Sequence, residues 1–392
     1  MFRDGFNNSM ISASNIINFL NPSAPKGIIK SASQWVENVQ NNKLQFRHPQ
    51  PQAAQKDVFP EEDTINKPTH EYISTAHDEF DSIKWTKSSP AKLFYLQKCR
   101  ILGREGAIIS PDNKLFCEFT QPPRDQWLTH SCFKRRRIPP IKQLKGWYAT
   151  ITYPESQFFF HWMIESLPRM ALLEEYISIL DGIFVPNNLS KFHLESLHAL
   201  GIGADKLICL DVDSHFQPQH LFVPKTFAMY NPQRWVHHWF KNTYLKVDIG
   251  DLNLEKYSKR IYVSRNDAPA RRVSNEAELV NILKKYNFEI LRLSELSFLE
   301  QARIFNNASI VVAPHGAGLS NIVFCQPKTK IIEIFPKRWM APCFFALANA
   351  VGGEYKHIVA DELSPSTDGN PQYDNIHVPI SDFEKTLIEI LI

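Results

Sequence analysis

Glycine is scarce in this chain, with 14 among 392 residues, and none is followed by lysine. A phosphate-cradling P-loop is therefore excluded. The two G-x-G pairs, Gly201 with Gly203 and Gly316 with Gly318, have Lys206 and Asn321 where a dinucleotide fingerprint needs its third glycine. No G-x-S-x-G occurs, so the nucleophile elbow of an α/β-hydrolase is missing too. The six cysteines (Cys99, Cys117, Cys132, Cys209, Cys325, Cys343) form no C-x-x-C pair and no zinc-like spacing. They read as buried free thiols of a reducing compartment. No apolar run approaches the ~18 residues that a membrane span needs, and residues 1–14 lack the apolar core of a secretory signal. A net charge of +3 is too small to imply nucleic acid. These absences leave a cytoplasmic globular protein as the expectation.

What is present is enough apolar residue (43%) over enough length for two domains, each with its own core. Residues 1–92 are rich in Asn, Gln, Ser and Pro and read as a polar, partly ordered arm, with 49–68 as a linker and 11–20 as a short surface helix. From 93 to 250, strand-like runs around 107–109, 115–119 and 147–151 precede a long helix, whose apolar residues Phe159, Trp162, Met163, Leu167 and Met170 recur at helical spacing. Strands and helices then alternate. From 251 to 380 the alternation is cleaner, with strands at 260–264, 288–293, 309–313, 330–335 and 355–359. Such βαβ alternation implies an α/β fold with a parallel sheet covered by helices on both faces. The last segment, 381–392, reads as an amphipathic helix packing back on the first domain.

Ligands of such sheets bind beyond the carboxyl ends of the strands. Ser264-Arg265 follows one strand, and Pro314-His315-Gly316-Ala317-Gly318-Leu319-Ser320-Asn321 follows another. Glu333 lies late in a third. A guanidinium, an amide-rich turn at a helix start and a carboxylate suit a nucleotide diphosphate and its ribose. Arg271-Arg272 sits on the same side of the sheet. Asn275, with Glu278 three residues on, also reads as a helix cap. In the first half, His161, Glu165 and Arg169 are spaced by four and share one helix face. The spacing suits either acid/base equipment or a surface ion pair. Asp211-Val212-Asp213 has the D-x-D form of a metal-holding turn, yet two aspartates in a turn are common and no metal is expected. The basic knot Lys134-Arg135-Arg136-Arg137 is either a solvated loop or a contact for anionic headgroups or an anionic acceptor.

Taken in order, Phe160-His161-Trp162, Leu167-Pro168-Arg169, Tyr262-Val263-Ser264-Arg265, Arg271-Arg272 to Asn275, Phe298-x-x-Gln301, the 314–321 turn and Glu333-Ile334-Phe335-Pro336 resemble glycosyltransferase family 61 over residues 145–360. The resemblance implies a GT-B-like pair of Rossmann-like domains facing a cleft, residues 93–250 on the acceptor side and 251–380 holding the nucleotide sugar. It implies inverting transfer, usually from a UDP-sugar, without an essential metal or other cofactor. His161, Glu165 and Arg169 would be catalytic. Ser264, Arg265, Arg271, Arg272, Asn275, His315, Gly316, Ala317, Gly318, Leu319, Ser320, Asn321 and Glu333 would bind the donor, with Glu333 near the ribose. The base is either His161 oriented by Glu165 or Glu165 alone. The lack of an N-terminal anchor makes the bacterial, cytoplasmic branch the expected one, acting on a glycan or lipid-linked acceptor of surface polysaccharide (capsule or lipopolysaccharide) at the inner membrane face. The other reading is an inactive glycan- or nucleotide-binding protein.

Overall fold

The computed structural model describes residues 24–44, 46, 51–61, 63–65, 85–120, 130–135, 137–226, 232–248, 250, 257–360 and 369–391. The helix expected at 11–20 and most of the connection expected at 247–257 lie outside them. The chain builds a mixed α/β structure around a ten-stranded and a five-stranded sheet.

The five-stranded sheet is wholly parallel. Its order is Glu289–Leu291, Arg260–Val263, Ile310–Pro314, Lys330–Phe335, Glu354–Val359. Numbered along the chain, that is 2-1-3-4-5. The order reverses between Arg260–Val263 and Ile310–Pro314, and at such a switch point the two following loops part and leave a crevice. The central strands carry apolar residues on both faces because helices cover both. Ile261, Val311, Val312, Ile331 and Ile332 are all inaccessible.

The first half departs further from expectation. Here His215–Lys225, Lys142–Thr150, Gly182–Pro186 and Leu207–Leu210 form a parallel ribbon, and Gly27–Ile29 pairs parallel with Lys114–Phe116 further along the sheet. Antiparallel strands extend that ribbon through Ala91–Gln97 and Arg100–Leu102. Residues 53–59, read from composition as linker, form the strand Ala53–Phe59 against Ala91–Gln97. Among the described residues it pairs with that strand alone, and its polar middle, Gln55-Lys56-Asp57, suits an edge strand. The helix Ala32–Gln40 packs Trp35, Val36 and Val39 beneath this region, so much of the supposed arm belongs to the sheet.

Two further corrections concern helices. The stretch from Phe159 is not one α-helix. It starts with a turn at Phe159–His161, widens into a π turn at Trp162–Ser166 and tightens into a 3₁₀ helix over Leu167–Ile179. Pro168 has no N–H and its ring crowds the carbonyl four residues back, so a regular ladder cannot run through it. The C-terminal helix Ile380–Leu391 does not return to the first half. Phe383, Leu387 and Ile390 pack with Leu279, Leu283 and Ile332 of the second sheet's layer. One apolar core joins the two halves, running from Ala149, Trp162 and Val185 to Val311, Phe324 and Phe335 without interruption. Five of the six cysteines are buried as expected, whereas Cys209 is exposed.

Candidate active site

At the switch point, Tyr262 and Ser264 lie two residues apart on one side of their strand, and both hydroxyls donate to Glu276 Oε1, at 2.9 and 2.8 Å. Asn266 Nδ2 donates to the other oxygen. Glu276, the first residue of the following helix, thus fixes the loop that begins at Arg265. Sequence reading missed Glu276 and favoured Glu278. The signal for it was the Tyr262-x-Ser264 pair of buried hydroxyls needing an acceptor.

Arg265 is the distinctive group. Its Nη2 donates to the Ala270 carbonyl at 3.0 Å, while its buried Nε has no partner. No carboxylate lies within ion-pair distance of it among the described residues. Burial foremost, then the neighbouring Arg271 guanidinium, push its pKa down to about 10, so it stays a cation at neutral pH. The guanidinium lies directly on Gly316, where a Cβ would stand 1.9 Å from Nη1. Gly316 has φ 171°, which any residue can adopt, so glycine is required here by space and not by backbone strain. The 3₁₀ helix Ala317–Phe324 begins at this point, and its first amide N–H groups have no carbonyl behind them. A pocket of about 120 Å³ opens between the strand ends, lined by Val263, Arg265, Pro314, Gly316, Gly318 and Leu319 among others. A half-buried guanidinium with no ion-pair partner among the described residues, beside open amides in the switch-point crevice, is an arrangement able to receive an anion.

Arg271 flanks the turn from the far side. It holds φ +55°, an uncommon conformation for a bulky residue. Its Nε donates to the His315 carbonyl at 2.9 Å and Nη1 to the Gln372 carbonyl at 2.6 Å, while the guanidinium lies 5.4 Å over the Trp339 ring. Arg272 is exposed and turns back to donate to the Ala268 carbonyl.

Several residues expected at the ligand are instead structural. Glu333 cannot meet a ribose, since it is inaccessible and its two oxygens are taken by His315 Nδ1 and the Tyr355 hydroxyl. Asn275 stands at the helix start without capping it. Its carboxamide clasps Val378, donating to the carbonyl at 2.9 Å and accepting from the N–H at 3.0 Å. Ser264 is spent on Glu276. Ser320 and Asn321 are buried, and Asn321 Nδ2 donates to Gln301 Oε1, whose own amide holds the Leu293 and Leu296 carbonyls, whereas Leu319 stays at the pocket wall.

Across the molecule, His161 Nδ1 meets Glu165 Oε2 at 2.6 Å, and Nε2 meets Glu155 Oε2 at 2.9 Å. Glu165 is 1% exposed, and its Oε1 has no partner. Glu155, absent from the sequence reading, is exposed on the loop before the helix with φ +64°. Nothing in its local pattern marks it. Arg169 turns to main-chain carbonyls. Its Nε donates to the Glu165 carbonyl, which a regular helix would pair with a main-chain N–H, and Nη1 donates to the Thr152 carbonyl. Burial pushes its pKa down to about 10. Aromatic rings connect the two histidines. Phe160 meets Phe344 edge-on at 5.4 Å, and Phe344 lies 5.2 Å from the His315 ring. The fold therefore brings His161 and Glu165 to the same region as the Arg265, Arg271 and Gly316 turn.

Two other motifs lie in the first half. Asp211 Oδ1 accepts from the Asp213 N–H and the Ser214 hydroxyl, closing a turn. Arg135 of the basic knot donates to the Val212 carbonyl and lines a surface pocket that also contains Glu105 and Asp213, so its charge is mixed. Among the described residues, no group of three His, Cys, Asp or Glu side chains is placed to hold a metal ion, and no helix is long and apolar enough to cross a membrane.

The structure thus combines a parallel sheet, with a glycine turn and two guanidiniums at its switch point, and a histidine–carboxylate pair from the other half of the chain. Residues 159–332, less than half of the chain, match the model of the family described as Glycosyltransferase 61. An EGF domain-specific O-linked N-acetylglucosamine transferase of Bos taurus is 32% identical over 101 residues, which cover 24% of this chain and 19% of the relative. A beta-1,2-xylosyltransferase of Arabidopsis thaliana is 34% identical over 76 residues, 19% of this chain and 14% of the relative. The chain thus matches about a fifth or less of the length of these relatives.

Proposed function

We propose that this protein is an inverting glycosyltransferase that moves a sugar from a nucleotide-linked donor, UDP-linked by preference, to a hydroxyl of a glycan or lipid-linked acceptor. The single observation that carries this reading is Arg265, a half-buried guanidinium with a buried, unpartnered Nε and no carboxylate within ion-pair distance among the described residues, seated on Gly316 at the switch point. A diphosphate supplies the missing anion, and its negative charge rises as the bond to the sugar breaks. Fixed donors aimed at that charge stabilise the transition state more than the ground state. Arg265, Arg271 and the amides of Gly316, Ala317 and Gly318 fill this role.

His161 is the base for the acceptor hydroxyl, with Glu165 holding Nδ1–H so that Nε2 faces the acceptor. In the resting protein Nε2 is covered by Glu155, whose loop is exposed, so the entering hydroxyl replaces that carboxylate. The two half-sites come from different sheets, in keeping with a GT-B-like cleft that closes over its donor. No essential metal is invoked, because the two guanidiniums supply the positive charge. A bacterial surface-polysaccharide pathway, with the enzyme cytoplasmic and peripheral at the inner membrane face, is the setting proposed.

Thermal unfolding with UDP, GDP, CMP and NAD tests the reading. A nucleotide present at 100 times its Kd adds ~2.7 kcal/mol of stability. UDP should stabilise the parent and His161→Gln alike but not Arg265→Ala, and His161→Gln should lose sugar transfer by at least ~10²-fold. Failure of every nucleotide to shift the parent sinks the proposal.

A further inference from the structure

Two histidines among the described residues have Nδ1 held by a glutamate, and the proposed mechanism uses only His161. His315 stands at the end of strand Ile310–Pro314, at the start of the anion turn. Its Nδ1–H donates to Glu333 Oε1, and the Tyr355 hydroxyl donates to the other oxygen of that carboxylate. The ring is packed by Phe335 at 5.0 Å, Trp339 at 4.8 Å and Phe344 at 5.2 Å, which fixes its orientation. Its Nε2 makes no hydrogen bond to any described residue, so the relay from Tyr355 through Glu333 ends on one unspent nitrogen.

Relays of this form set a ring's tautomer and let it carry a second proton when charge demands it. Here the charges that meet the ring are opposed. Glu333 favours a proton on it, while Arg265 and Arg271, both from the loop after Arg260–Val263, oppose one. Burial opposes it most strongly, so the ring is neutral in the empty protein, with Nε2 an acceptor. Tyr355 and Cys343 meet the ring only through Glu333, both kept protonated by burial. His357 lies behind Phe335, and His161 lies beyond Phe160 and Phe344.

We propose that His315 takes up a proton from solvent when the donor's diphosphate binds and then donates Nε2–H to the leaving group, with Glu333 and Tyr355 as positioning residues. This rests on the nucleotide-sugar reading above. Two guanidiniums neutralised by a diphosphate no longer oppose the imidazolium, and the diphosphate itself favours it. During transfer the bond from the acceptor oxygen to the anomeric carbon forms as the bond from that carbon to the phosphate oxygen breaks. The electron pair stays on the phosphate oxygen, the hydroxyl proton goes to His161, and the His315 proton remains on Nε2 as a hydrogen bond. It returns to water when the nucleotide leaves.

The test is isothermal titration of the parent with UDP, at about pH 7.5, where its phosphates are already largely ionised, and with inorganic pyrophosphate as a check on binding alone. Running it in two buffers of different ionisation enthalpy counts the protons bound. Uptake of a sizeable fraction of one proton is expected, with affinity falling by up to about tenfold per pH unit as the solution becomes more alkaline. His315→Gln should bind more weakly with no uptake and a flat pH profile. Tyr355→Phe takes a donor from Glu333, which strengthens that carboxylate's pull on the ring proton, so the affinity profile should move to higher pH. Tight binding to the parent without uptake, or uptake that survives in His315→Gln, overturns this inference and leaves the donor site standing. If neither UDP nor pyrophosphate binds the parent, both fall.

Discussion

At Gly316 a single hydrogen stands between the main chain and a guanidinium. In Gly316→Ala the new Cβ would lie 1.9 Å from Arg265 Nη1 and 2.6 Å from Cζ, so the arginine side chain has to move. The backbone is extended at this point and tolerates alanine, so the fold should persist with its thermal midpoint little changed. A displaced Arg265 loses a charge-assisted contact of about 1.5–3 kcal/mol, roughly ten- to a hundredfold in nucleotide affinity. Titration with UDP checks this, and undiminished affinity would show that Arg265 does not touch the ligand. Position alone placed Arg265 and Gly316 at strand ends, and the structure brings the two together at the switch point. They did not separate ligand contacts from buried scaffolding. Glu333, Asn275 and Asn321 are polar residues in the right neighbourhood, but their partners, Tyr355, Val378 and Gln301, come from 20 to 103 residues away, which no local pattern reveals.

Among the elements, the five parallel strands were legible because each is a short apolar run closed by a polar turn, the pattern of a sheet buried on both faces. The antiparallel additions to the larger sheet were not. Ala53–Phe59 becomes a strand by pairing with Ala91–Gln97, and its own composition resembles linker. The C-terminal helix was recognised but misplaced, since amphipathicity names a buried face without naming its partner. Asn275 supplies the missing instruction. It clasps Val378 on both sides of one peptide position, just before Ile380–Leu391 begins, and the Ser274 N–H donates to the Ile376 carbonyl beside it. Asn275→Ala would leave the buried N–H and carbonyl of Val378 unpaired. A loss of about 2–3 kcal/mol is expected, read as a lower urea midpoint with little change in slope. If Asn275→Ala unfolds at the parent midpoint, the clasp does not hold the helix.

For the whole molecule, the continuous core predicts that acid weakens both halves together. His237 sits on the helix Arg234–Tyr244 and donates Nδ1–H to the Val323 carbonyl, at 2.7 Å, on the 3₁₀ helix that follows the anion turn. Burial first, then Lys241 and His238, push its pKa down to about 4 from an ordinary 6.5. His193 is also shifted down by burial, and its neutral form is fully used, Nδ1 accepting from the Ser190 N–H and Nε2–H donating to the Ser156 carbonyl. Between pH 6.5 and 4 the unfolded chain binds a proton at position 237 that the folded chain does not. Stability therefore rises with pH through that window and is lost as pH falls through it. The full span of the His237 shift corresponds to roughly 3 kcal/mol. His237→Asn keeps an N–H donor near Nδ1 and removes the titration. Its unfolding free energy should fall less steeply than the parent's between pH 6.5 and 4, the two curves converging toward the acid end. Because Val323 and Arg234–Tyr244 belong to different halves, fluorescence from Trp235 and Trp239 and near-UV signals from Tyr262 and Phe335 should change in one transition. Separate acid transitions for the two halves would mean that the shared core does not couple them.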